Sequence, residues 1–569
     1  MQNMARKLLL RELKNLKWQR KLSCSVVHQD NFLVKSTIPD IVVPQMRFLD
    51  RLWVDSGSFQ NHIALECAET KKTYTYAQLQ KYSSVFATSL LKKLGLKPGD
   101  VLAVMIPNCP EFPVVAFGSI QAGVVLTTVN PIYKEFELAH QISITEPKAI
   151  VTIQECYDTV KTTLKNCKKD IKIILIDNPA NPVPNGAIRY SEIAESGEAD
   201  YDLLDKIEKK PDEVACIPFS SGTTGLPKGV EITYGNLLAS LEIMHQKEVC
   251  YPVLTHGDVQ DVVPSFLPFF HIYGLVVNLL GHFAQGCKMI TMSKFSASLY
   301  LDTLKNSRAS LLYIVPPVAI LLGKHPDVNK EHFRNVRHIC CGAAPLSASD
   351  VEAIQQKSKH DIEFNQGFGA TETTSLGTTT FKGTKNIDYS ACGVPMASMT
   401  LKFADPITGG PVPIGQQGEI YIKGPTIMKG YHKNPAASAD CLTEDGYFKT
   451  GDLGYYKPGV GMFITDRIKE LIKVKGMQVA PAELESLLRS HPAVQDAAVI
   501  GVPHEFFGEA PKAFIIRKNG LKTTEEEIQD YVASKVAVYK RIEEVMFVDD
   551  IPKTASGKIL RKELKKMYA

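Results

Sequence analysis

Paired cysteines, a secretory leader and several short enzyme signatures are missing from this chain of 569 residues. Its 12 cysteines form no C-x-x-C pair, and no secretory hydrophobic segment precedes them, so we expect free thiols in a reducing compartment. No G-x-S-x-G nucleophile elbow occurs, and the run from His504 to Gly508 lacks the second histidine of a zinc-protease helix. These absences argue against a disulfide scaffold, a structural metal site, an elbow-type hydrolase and a zinc protease.

Long hydrophobic runs free of polar residues are absent as well. Two stretches, Phe112–Tyr133 and Val262–Cys287, carry no formal charge and are long enough to cross a membrane. Each contains proline and hydrogen-bonding side chains. We therefore interpret them as core strands and pocket walls, and we predict no membrane span.

The formal net charge is only +4, and it is unevenly placed. Residues 1–30 hold seven Lys or Arg residues and two acidic ones, a net charge of +5, so the rest of the chain carries −1. A body without a basic surplus is not expected to bind nucleic acid.

Residues 1–30 combine this charge with helical spacing, since Leu9, Leu13 and Leu16 fall on one face and basic residues line another. Such a segment is typical of a mitochondrial presequence, and we expect a mitochondrial location, with the cytoplasm or peroxisome as alternatives. The other interpretation is a solvated basic helix, or a segment that makes peripheral contact with a membrane surface.

Chain length and element pattern predict more than one domain. A chain of this length is too long to form a single hydrophobic core. Short apolar runs alternate with amphipathic helical segments over most of it. We expect an α/β fold: a large N-terminal domain of α/β layers with mainly parallel sheets. The predicted strands are Val101–Ile106, Ala149–Ile153, Lys172–Ile176, Leu311–Val315 and His338–Cys341. The predicted helices are Tyr76–Leu94 and Asp350–Lys359.

Two later regions depart from this pattern. Between residues 395 and 465, glycines interrupt short alternating runs such as Glu419–Ile422, which predicts a small antiparallel, barrel-like section. Beyond Asp466, Pro481 and the capping-box pattern at Thr524 mark two helix starts. The strand-like segments between them are Ala497–Val502 and Ala513–Ile516. This tail predicts a smaller α+β C-terminal domain.

The strongest local signal is the run Ser220–Gly229. Its small and hydroxyl-bearing residues are Ser220, Ser221, Gly222, Thr223, Thr224 and Gly225, and Lys228 follows them. Small residues let backbone N–H groups approach phosphate oxygens, hydroxyls add donors, and the lysine adds positive charge. A P-loop needs Gly-Lys-Ser/Thr, whereas Pro227-Lys228-Gly229 stands here. The run therefore predicts a phosphate site without P-loop geometry.

This loop resembles the signature of the adenylate-forming enzymes, which include acyl-CoA synthetases, 4-coumarate–CoA ligases and beetle luciferases. Other runs resemble the same family, in its order and spacing, over about residues 45–565. These runs are Leu267–Gly274, Gly342–Leu346, Gln366–Thr373, Tyr447–Gly454, Asp466–Lys473 and Pro552–Lys558. The resemblance implies a ligase of the acyl-CoA synthetase branch that uses ATP, CoA and Mg²⁺. A carboxylic acid would displace pyrophosphate from ATP to form an acyl-adenylate, and CoA would then displace AMP.

The resemblance also implies how the chain is divided. An AMP-binding domain would span residues 45–465, a hinge residues 466–469, and a C-terminal domain residues 470–569. The hinge would let the small domain rotate after adenylation and present its other face to the site.

Roles for individual residues follow from the same resemblance. Glu372 is expected to bind Mg²⁺, and Thr371 to donate a hydrogen bond to the α-phosphate. Asp452 and Arg467 are expected to hold the ribose hydroxyls, since a carboxylate accepts two hydrogen bonds at once. Lys558 would be the catalytic cation between carboxylate and α-phosphate. The remaining nucleotide-binding candidates are Gln366, Gly367, Lys469 and Phe368, whose ring would stack on adenine where the family more often has tyrosine.

The second half-reaction and the acid pocket complete these expectations. Lys473 is expected to be catalytic, and Lys294, Lys475 and Gly476 match positions that contact CoA in the coumarate-ligase branch. The expected acid-pocket residues are His271, Tyr273, Gly342 and Ala343, with Val315–Val318, Cys341–Ala344 and Gly367 around them. They offer no charged partner, so a medium- or long-chain fatty acid is expected, with an aryl acid as the alternative.

Two other functions stay open. A luciferase-type monooxygenase shares the fold and the adenylation step, although Met567-Tyr568-Ala569 is not a peroxisomal address. An inactive lipid-binding homologue would be expected to lose its charged site residues, and Lys228, Glu372, Asp452 and Lys558 are all present. The oligomeric state is not predicted.

Overall fold

The computed structural model describes residues 31–569 with short gaps. The residues outside the description are 1–30, 177–181, 221–226, 343–345, 347, 475–476, 505–506, 537, 555–556 and 569. The predicted presequence therefore lies outside the described residues. From Phe32 onward the chain forms one compact unit.

The largest sheet of the described chain has nine strands, and its centre is parallel. Its strands in spatial order are Phe219–Ser220, Lys228–Thr233, Val214–Cys216, Val125–Thr128, Val101–Met105, Ala149–Ile153, Lys172–Ile176 and Ala187–Arg189, with Gly430–Tyr431 paired to Lys228–Thr233. The near-continuous apolar character of the central strands is explained by burial on both faces.

Two further sheets complete the α/β part. One has the order Val262–Ser265, Lys288–Thr291, Ile63–Cys67 and Thr73–Thr75. The other has the order Leu311–Ile314, His338–Cys341, Glu363–Ala370, Ser375–Thr379 and Val394–Pro395. In both sheets the first three strands in this order are parallel, and the strand that follows them pairs antiparallel. The five strands predicted from the sequence are all present, two of them one residue shorter.

Helices cover these sheets. They are Phe48–Leu52, Tyr76–Lys92, Glu111–Gln121, Glu135–Thr145, Gln154–Asn166, Tyr190–Ala194, Tyr201–Leu204, Tyr234–Met244, Gly281–Phe283, Ala297–Asn306, Pro316–Lys324, Lys330–Phe333, Ala348–Ser358 and Pro435–Cys441, with the 3₁₀ turns Ser56–Ser58 and Thr371–Thr373 and the π-helix Tyr273–Leu280. The helix from Tyr76 begins where predicted because Thr75 and Gln78 form a capping box. None of the described helices is both long and apolar enough to cross a membrane.

An antiparallel sheet of five strands occupies the region predicted to be barrel-like. Its order is Leu33–Lys35, Thr400–Ala404, Gly418–Lys423, Phe448–Lys457 and Gly461–Arg467. The strand Leu33–Lys35 comes from far upstream and was not predicted, because pairing across more than 350 residues leaves no local signal.

The C-terminal part has its own sheet and core. Its strands in order are Met477–Val479, Ile472–Val474, Gly508–Arg517 and Val494–His504, with Glu544–Phe547 paired to Gly508–Arg517. Its helices are Pro481–Arg489, Glu525–Ala533 and Arg561–Tyr568, with 3₁₀ turns Ile468–Glu470 and Val538–Lys540. Both predicted helix starts are confirmed, by proline in the first turn and by the capping box at Thr524. The boundary at residue 465 and the hinge stay predictions.

Candidate active site

The predicted phosphate loop closes a β-hairpin. Strand Phe219–Ser220 pairs antiparallel with strand Lys228–Thr233, so that Ser220 lies opposite Lys228. The intervening candidates Ser221, Gly222, Thr223, Thr224 and Gly225 lie outside the described residues. The structure thus places both ends of the loop at the edge of the largest sheet.

Lys228 and the predicted Mg²⁺ ligand Glu372 meet at one tyrosine. Strand Gly430–Tyr431 pairs with the strand of Lys228 and brings the Tyr431 ring under that lysine, 4.7 Å from Nζ. The Tyr431 hydroxyl donates a hydrogen bond to Oε1 of Glu372 at 2.9 Å. Burial and the nearby Glu372 carboxylate raise the pKa of Tyr431, so the phenol stays protonated and acts as a donor. The sequence analysis missed Tyr431, because only strand pairing brings it to the loop.

The turn that carries Glu372 is tightly held. Thr371 and Glu372 are 7% and 8% exposed in the 3₁₀ turn Thr371–Thr373. The Met428 N–H donates to the Glu372 carbonyl at 2.9 Å. Its carboxylate is therefore oriented from two directions, through Tyr431 and through its own backbone.

The strand Glu363–Ala370 carries the next three nucleotide candidates. Gln366 donates through Nε2 to the Tyr389 carbonyl. A side chain at Gly367 would meet the Thr378 carbonyl, since an ideal Cβ there lies 2.8 Å from that oxygen. Phe368 is 8% exposed and belongs to an apolar cluster with Met396 and Ile422, so little of its ring is open, and adenine stacking stays a prediction.

Asp452 and Arg467 lie opposite each other on paired strands. Arg467 Nε–H donates to Oδ1 of Asp452 at 2.9 Å. Burial raises the pKa of Asp452, against the opposing effects of Arg467 and Lys558. Burial alone would lower the pKa of Arg467, but Asp452 and Glu470 outweigh it and raise the value. The pair is consistent with a buried, oriented carboxylate for the ribose.

Lys558 reaches this same region. Burial and then the positive charge of Arg467 lower the pKa of Lys558, while Asp452 and Glu372 oppose that shift. Its turn is closed by Thr554, whose N–H donates to the Lys558 carbonyl at 2.8 Å. The electrostatic interactions with three predicted site residues, Arg467, Asp452 and Glu372, place the predicted catalytic lysine near them in this conformation.

Gly557 explains how the lysine turn approaches the large domain. Its φ of +81° favours glycine, and an ideal Cβ would lie 3.1 Å from Cδ of Pro317. The turn therefore lies directly against the start of helix Pro316–Lys324, beside the predicted pocket segment Val315–Val318.

The acid-pocket candidates come together at the start of the π-helix. The Tyr273 N–H donates to Nδ1 of His271 at 3.2 Å, and the Tyr273 hydroxyl donates to Sγ of Cys340 at 3.7 Å. An ideal Cβ at Gly342 would lie 3.4 Å from the Tyr273 ring, so these residues form one wall. Burial and the charge of Lys558 lower the pKa of His271 to about 4, so it is neutral. Ala343 lies outside the described residues.

The predicted CoA face is described only in part. Lys294 is exposed after strand Lys288–Thr291. Lys475 and Gly476 lie outside the described residues, and Lys469 and Lys473 are placed only by their backbone, in the turn Ile468–Glu470 and strand Ile472–Val474. The roles of these residues stay predictions.

Asp466, at the start of the predicted hinge, is a titratable group that the sequence analysis did not single out as such. Its carboxylate accepts hydrogen bonds from the backbone N–H groups of Arg467, at 2.6 Å, and Ala482, at 3.2 Å. Burial raises the pKa of Asp466 to about 7, although these hydrogen bonds and the charge of Arg561 lower it. The predicted hinge therefore begins at a carboxyl group whose pKa lies near neutral pH.

Comparisons with known proteins show the family of this chain. The AMP-binding enzyme family matches residues 53–432, and the AMP-binding enzyme C-terminal domain matches residues 483–558. A 4-coumarate–CoA ligase of Nicotiana tabacum is 37% identical over 545 residues, 95% of this chain and 98% of the relative. The 4-coumarate–CoA ligase CCL1 of Humulus lupulus is 36% identical over 542 residues, 95% and 97% of the two chains.

Solved structures give the same fold. The structure of ATP-bound MatB from Rhodopseudomonas palustris superposes with a TM-score of 0.81 at 28% identity, covering 92% of this chain and 99% of that one. The anthranilate CoA ligase AuaEII, in complex with anthranoyl-AMP, has a TM-score of 0.82 at 23% identity over 93% and 98% of the chains, and shows the fold alone. Large N-terminal and smaller C-terminal domains are common to this fold, and enzymes of the family use ATP, CoA and Mg²⁺. The chain belongs to the adenylate-forming AMP-binding enzymes and is an ATP-dependent acid–CoA ligase.

Proposed function

We propose that this acid–CoA ligase acts on aryl acids, with arylpropenoic acids preferred over the fatty acids that the pocket residues alone favoured. The observation that carries the proposal is its similarity to 4-coumarate–CoA ligases, up to 37% identity across 95% of the chain. The wall formed by Tyr273 and Gly342 supports it, because an aromatic ring beside a residue without a side chain offers a flat surface to a planar acid.

In the first half-reaction, a carboxylate oxygen of the acid attacks the α-phosphorus of ATP, and the bond to pyrophosphate breaks. Both reactants are anions, so positive charge and alignment supply most of the catalysis. Lys558 would neutralise the approaching carboxylate and α-phosphate, and Lys228 the departing phosphates. Asp452 would hold the ribose while Arg467 holds Asp452 in place.

Glu372 is the residue that would hold Mg²⁺. One buried carboxylate fits this ion, which keeps several waters and takes its other ligands from substrate phosphates. Bound there, the ion would supply positive charge against the phosphates. Tyr431 would keep Oε1 of Glu372 oriented through its hydrogen bond.

In the second half-reaction, the CoA thiolate attacks the carbonyl carbon of the acyl-adenylate, and the bond to AMP breaks. We propose that the segment 466–469 acts as the hinge that withdraws Lys558 and brings the face with Lys473, Lys475 and Gly476 to the site, where Lys294 also contacts CoA. His271 is neutral and beside the acid pocket, so it adds no charge to the approaching thiolate.

A panel of acids tests the proposal. Pyrophosphate release and acyl-CoA formation, measured for 4-coumaric, cinnamic, benzoic, octanoic and palmitic acids, should give the highest kcat/KM with an arylpropenoic acid. Higher kcat/KM with a fatty acid than with every aryl acid would reject the aryl assignment and restore the fatty-acid one.

A further inference from the structure

The end of the predicted phosphate loop is held by a histidine from a neighbouring helix. Nε2 of His140, on the helix Glu135–Thr145, lies 3.0 Å from the carbonyl oxygen of Pro227. A carbonyl oxygen only accepts hydrogen bonds, so Nε2 of His140 is the donor. Pro227 directly precedes the strand Lys228–Thr233. His140 therefore contacts the chain at the point where the loop rejoins the largest sheet.

This hydrogen bond fixes the orientation of one peptide group. The carbonyl of Pro227 and the N–H of Lys228 belong to the same peptide bond, and a peptide bond is planar. A hydrogen bond that holds the oxygen of Pro227 therefore restricts the plane from which Lys228 begins. From that plane the side chain of Lys228 extends to the ring of Tyr431, where Nζ lies 4.7 Å from the ring centre.

The helix that carries His140 is itself attached to the largest sheet. The next residue, Gln141, is 2% exposed. Its Nε2 donates to Oγ1 of Thr127 at 3.1 Å and to the carbonyl of Thr128 at 2.9 Å. Both threonines lie at the end of the strand Val125–Thr128, in the centre of that sheet. His140 therefore donates from a position that the sheet determines.

A second contact joins the same helix to the neighbouring strand Gly430–Tyr431. Glu146, the residue after the helix, forms an ion pair with Lys433, which follows that strand. The intervening His432 donates its N–H to the carbonyl of Gly229 at 2.8 Å. The ion pair is half exposed and contributes little by itself. The hydrogen bond from His140 is therefore the contact through which the helix acts on the loop.

We propose that His140 is a positioning residue for Lys228 and, through it, for the phosphates that leave as pyrophosphate. The imidazole acts through the peptide group of Pro227 and not on the reacting atoms. It orders Lys228 before ATP or pyrophosphate binds, so less conformational freedom is lost on binding. This inference rests on the proposed function, because it requires Lys228 to neutralise the departing phosphates.

Two reactions of one acyl-adenylate complex test the proposal in the full-length enzyme. Pyrophosphate attacks the α-phosphorus, which re-forms ATP and releases the acid, whereas CoA attacks the carbonyl carbon and releases AMP. Only the first reaction involves phosphates beyond the α-phosphate. His140→Leu should raise the KM for pyrophosphate by about 3–10-fold, the range expected from loss of one hydrogen bond. The KM for CoA should stay within about twofold of the wild-type value.

His140→Gln, which keeps an N–H donor near the position of Nε2, should restore the KM for pyrophosphate to within about twofold of the wild-type value. His360→Leu is the matched control, because Nε2 of His360 lies 2.8 Å from the carbonyl of Val336 and makes the same kind of hydrogen bond elsewhere. It should change neither KM.

Two results would overturn the role of His140. One is an unchanged KM for pyrophosphate in His140→Leu. The other is an equal effect of that variant on the reactions with pyrophosphate and with CoA, which would indicate a purely structural role.

Lys228→Ala separates this inference from the proposed function. It should raise the KM for pyrophosphate, and adding His140→Leu to it should cause no further rise, because residues that act through one another are not additive. An unchanged KM in Lys228→Ala would reject the proposed role of Lys228 and the inference with it. A rise in Lys228→Ala and a further, additive rise in the double variant would reject only the role of His140. The acyl-adenylate is made from whichever acid is turned over fastest, so the test does not depend on the aryl assignment.

Discussion

Tyr431 donates its hydroxyl hydrogen to Oε1 of Glu372 at 2.9 Å, while its ring lies 4.7 Å from Nζ of Lys228. One tyrosine thus contacts both the cation at the end of the phosphate loop and the carboxylate expected to bind Mg²⁺. Removal of that hydroxyl would change the orientation of the Glu372 carboxylate and leave its negative charge in place. A variant of Tyr431 therefore tests the effect of that orientation alone.

Tyr431→Phe is expected to raise the Mg²⁺ concentration for half-maximal adenylation by about 10–100-fold, the usual effect of losing a hydrogen bond to a metal ligand. The measurement is pyrophosphate release against Mg²⁺ concentration at saturating acid. Tyr421→Phe is the control, since that buried ring contacts Lys402 in the antiparallel sheet instead. An unchanged Mg²⁺ dependence in Tyr431→Phe would show that Glu372 needs no orientation from this residue.

Lys558→Ala should lower the rate of adenylation by about 100-fold or more, because it removes the cation expected at the developing charge. Thioester formation from supplied acyl-adenylate should stay close to the wild-type rate, since the small domain would then present its other face. Lys562→Ala, a change at an exposed lysine four residues along, serves as control. Survival of both half-reactions would remove Lys558 from the mechanism.

Gly557→Ala should slow adenylation by about tenfold and spare thioester formation. A side chain at this φ of +81° is strained, and its Cβ would lie 3.1 Å from Pro317 of the large domain. Under the proposed hinge rotation that contact is lost when the lysine turn leaves the site, so separate measurement of the two half-reaction rates reports it. Equal slowing of both would indicate a general loss of structure.

Asp466→Asn should remove the part of the pH dependence of the free energy of unfolding that comes from titration of Asp466. The folded-state pKa of Asp466 is raised to about 7 from the 3.8 of an unfolded chain, chiefly by burial, so the folded state binds the proton more tightly. The contribution of Asp466 to the free energy of unfolding therefore falls as the pH rises from about 4 to about 7, and it is constant above pH 7. The asparagine side chain does not titrate.

The melting temperatures of wild type and Asp466→Asn, recorded between pH 4 and 8, check this expectation. As the pH rises to about 7, the melting temperature of the wild type should fall relative to that of the variant. Above pH 7 the difference between the two melting temperatures should stay constant. The lost acceptor atom in the variant adds an offset that does not depend on pH. Parallel curves over the whole range would mean that Asp466 is ionised throughout.

Residues 1–30, fused ahead of a fluorescent reporter, are expected to direct it to mitochondria, because their basic, amphipathic pattern is typical of a presequence. The matched control exchanges Arg6, Lys7 and Arg11 for glutamine. A diffuse signal from the unaltered segment would favour a cytoplasmic enzyme, and a signal on other membranes would favour surface contact through this segment.

The sequence by itself determined the reaction class and the elements that carry it. The predicted phosphate loop, ribose carboxylate and catalytic lysine each belong to a short run that resembles the signature of the adenylate-forming enzymes, and their roles stay predictions. The strands Ala149–Ile153, Lys172–Ile176 and His338–Cys341 were also predictable, since their apolar runs report burial on both faces.

Only the tertiary structure decided how distant residues combine. Tyr431 joins Lys228 to Glu372 through pairing of strands some 200 residues apart, and Leu33–Lys35 pairs with a strand beyond residue 400. The sequence analysis assigned no role to His282 and His338. In each, one ring nitrogen has a hydrogen-bond partner and the other has none among the described residues, and that is a property of packing rather than of residue order.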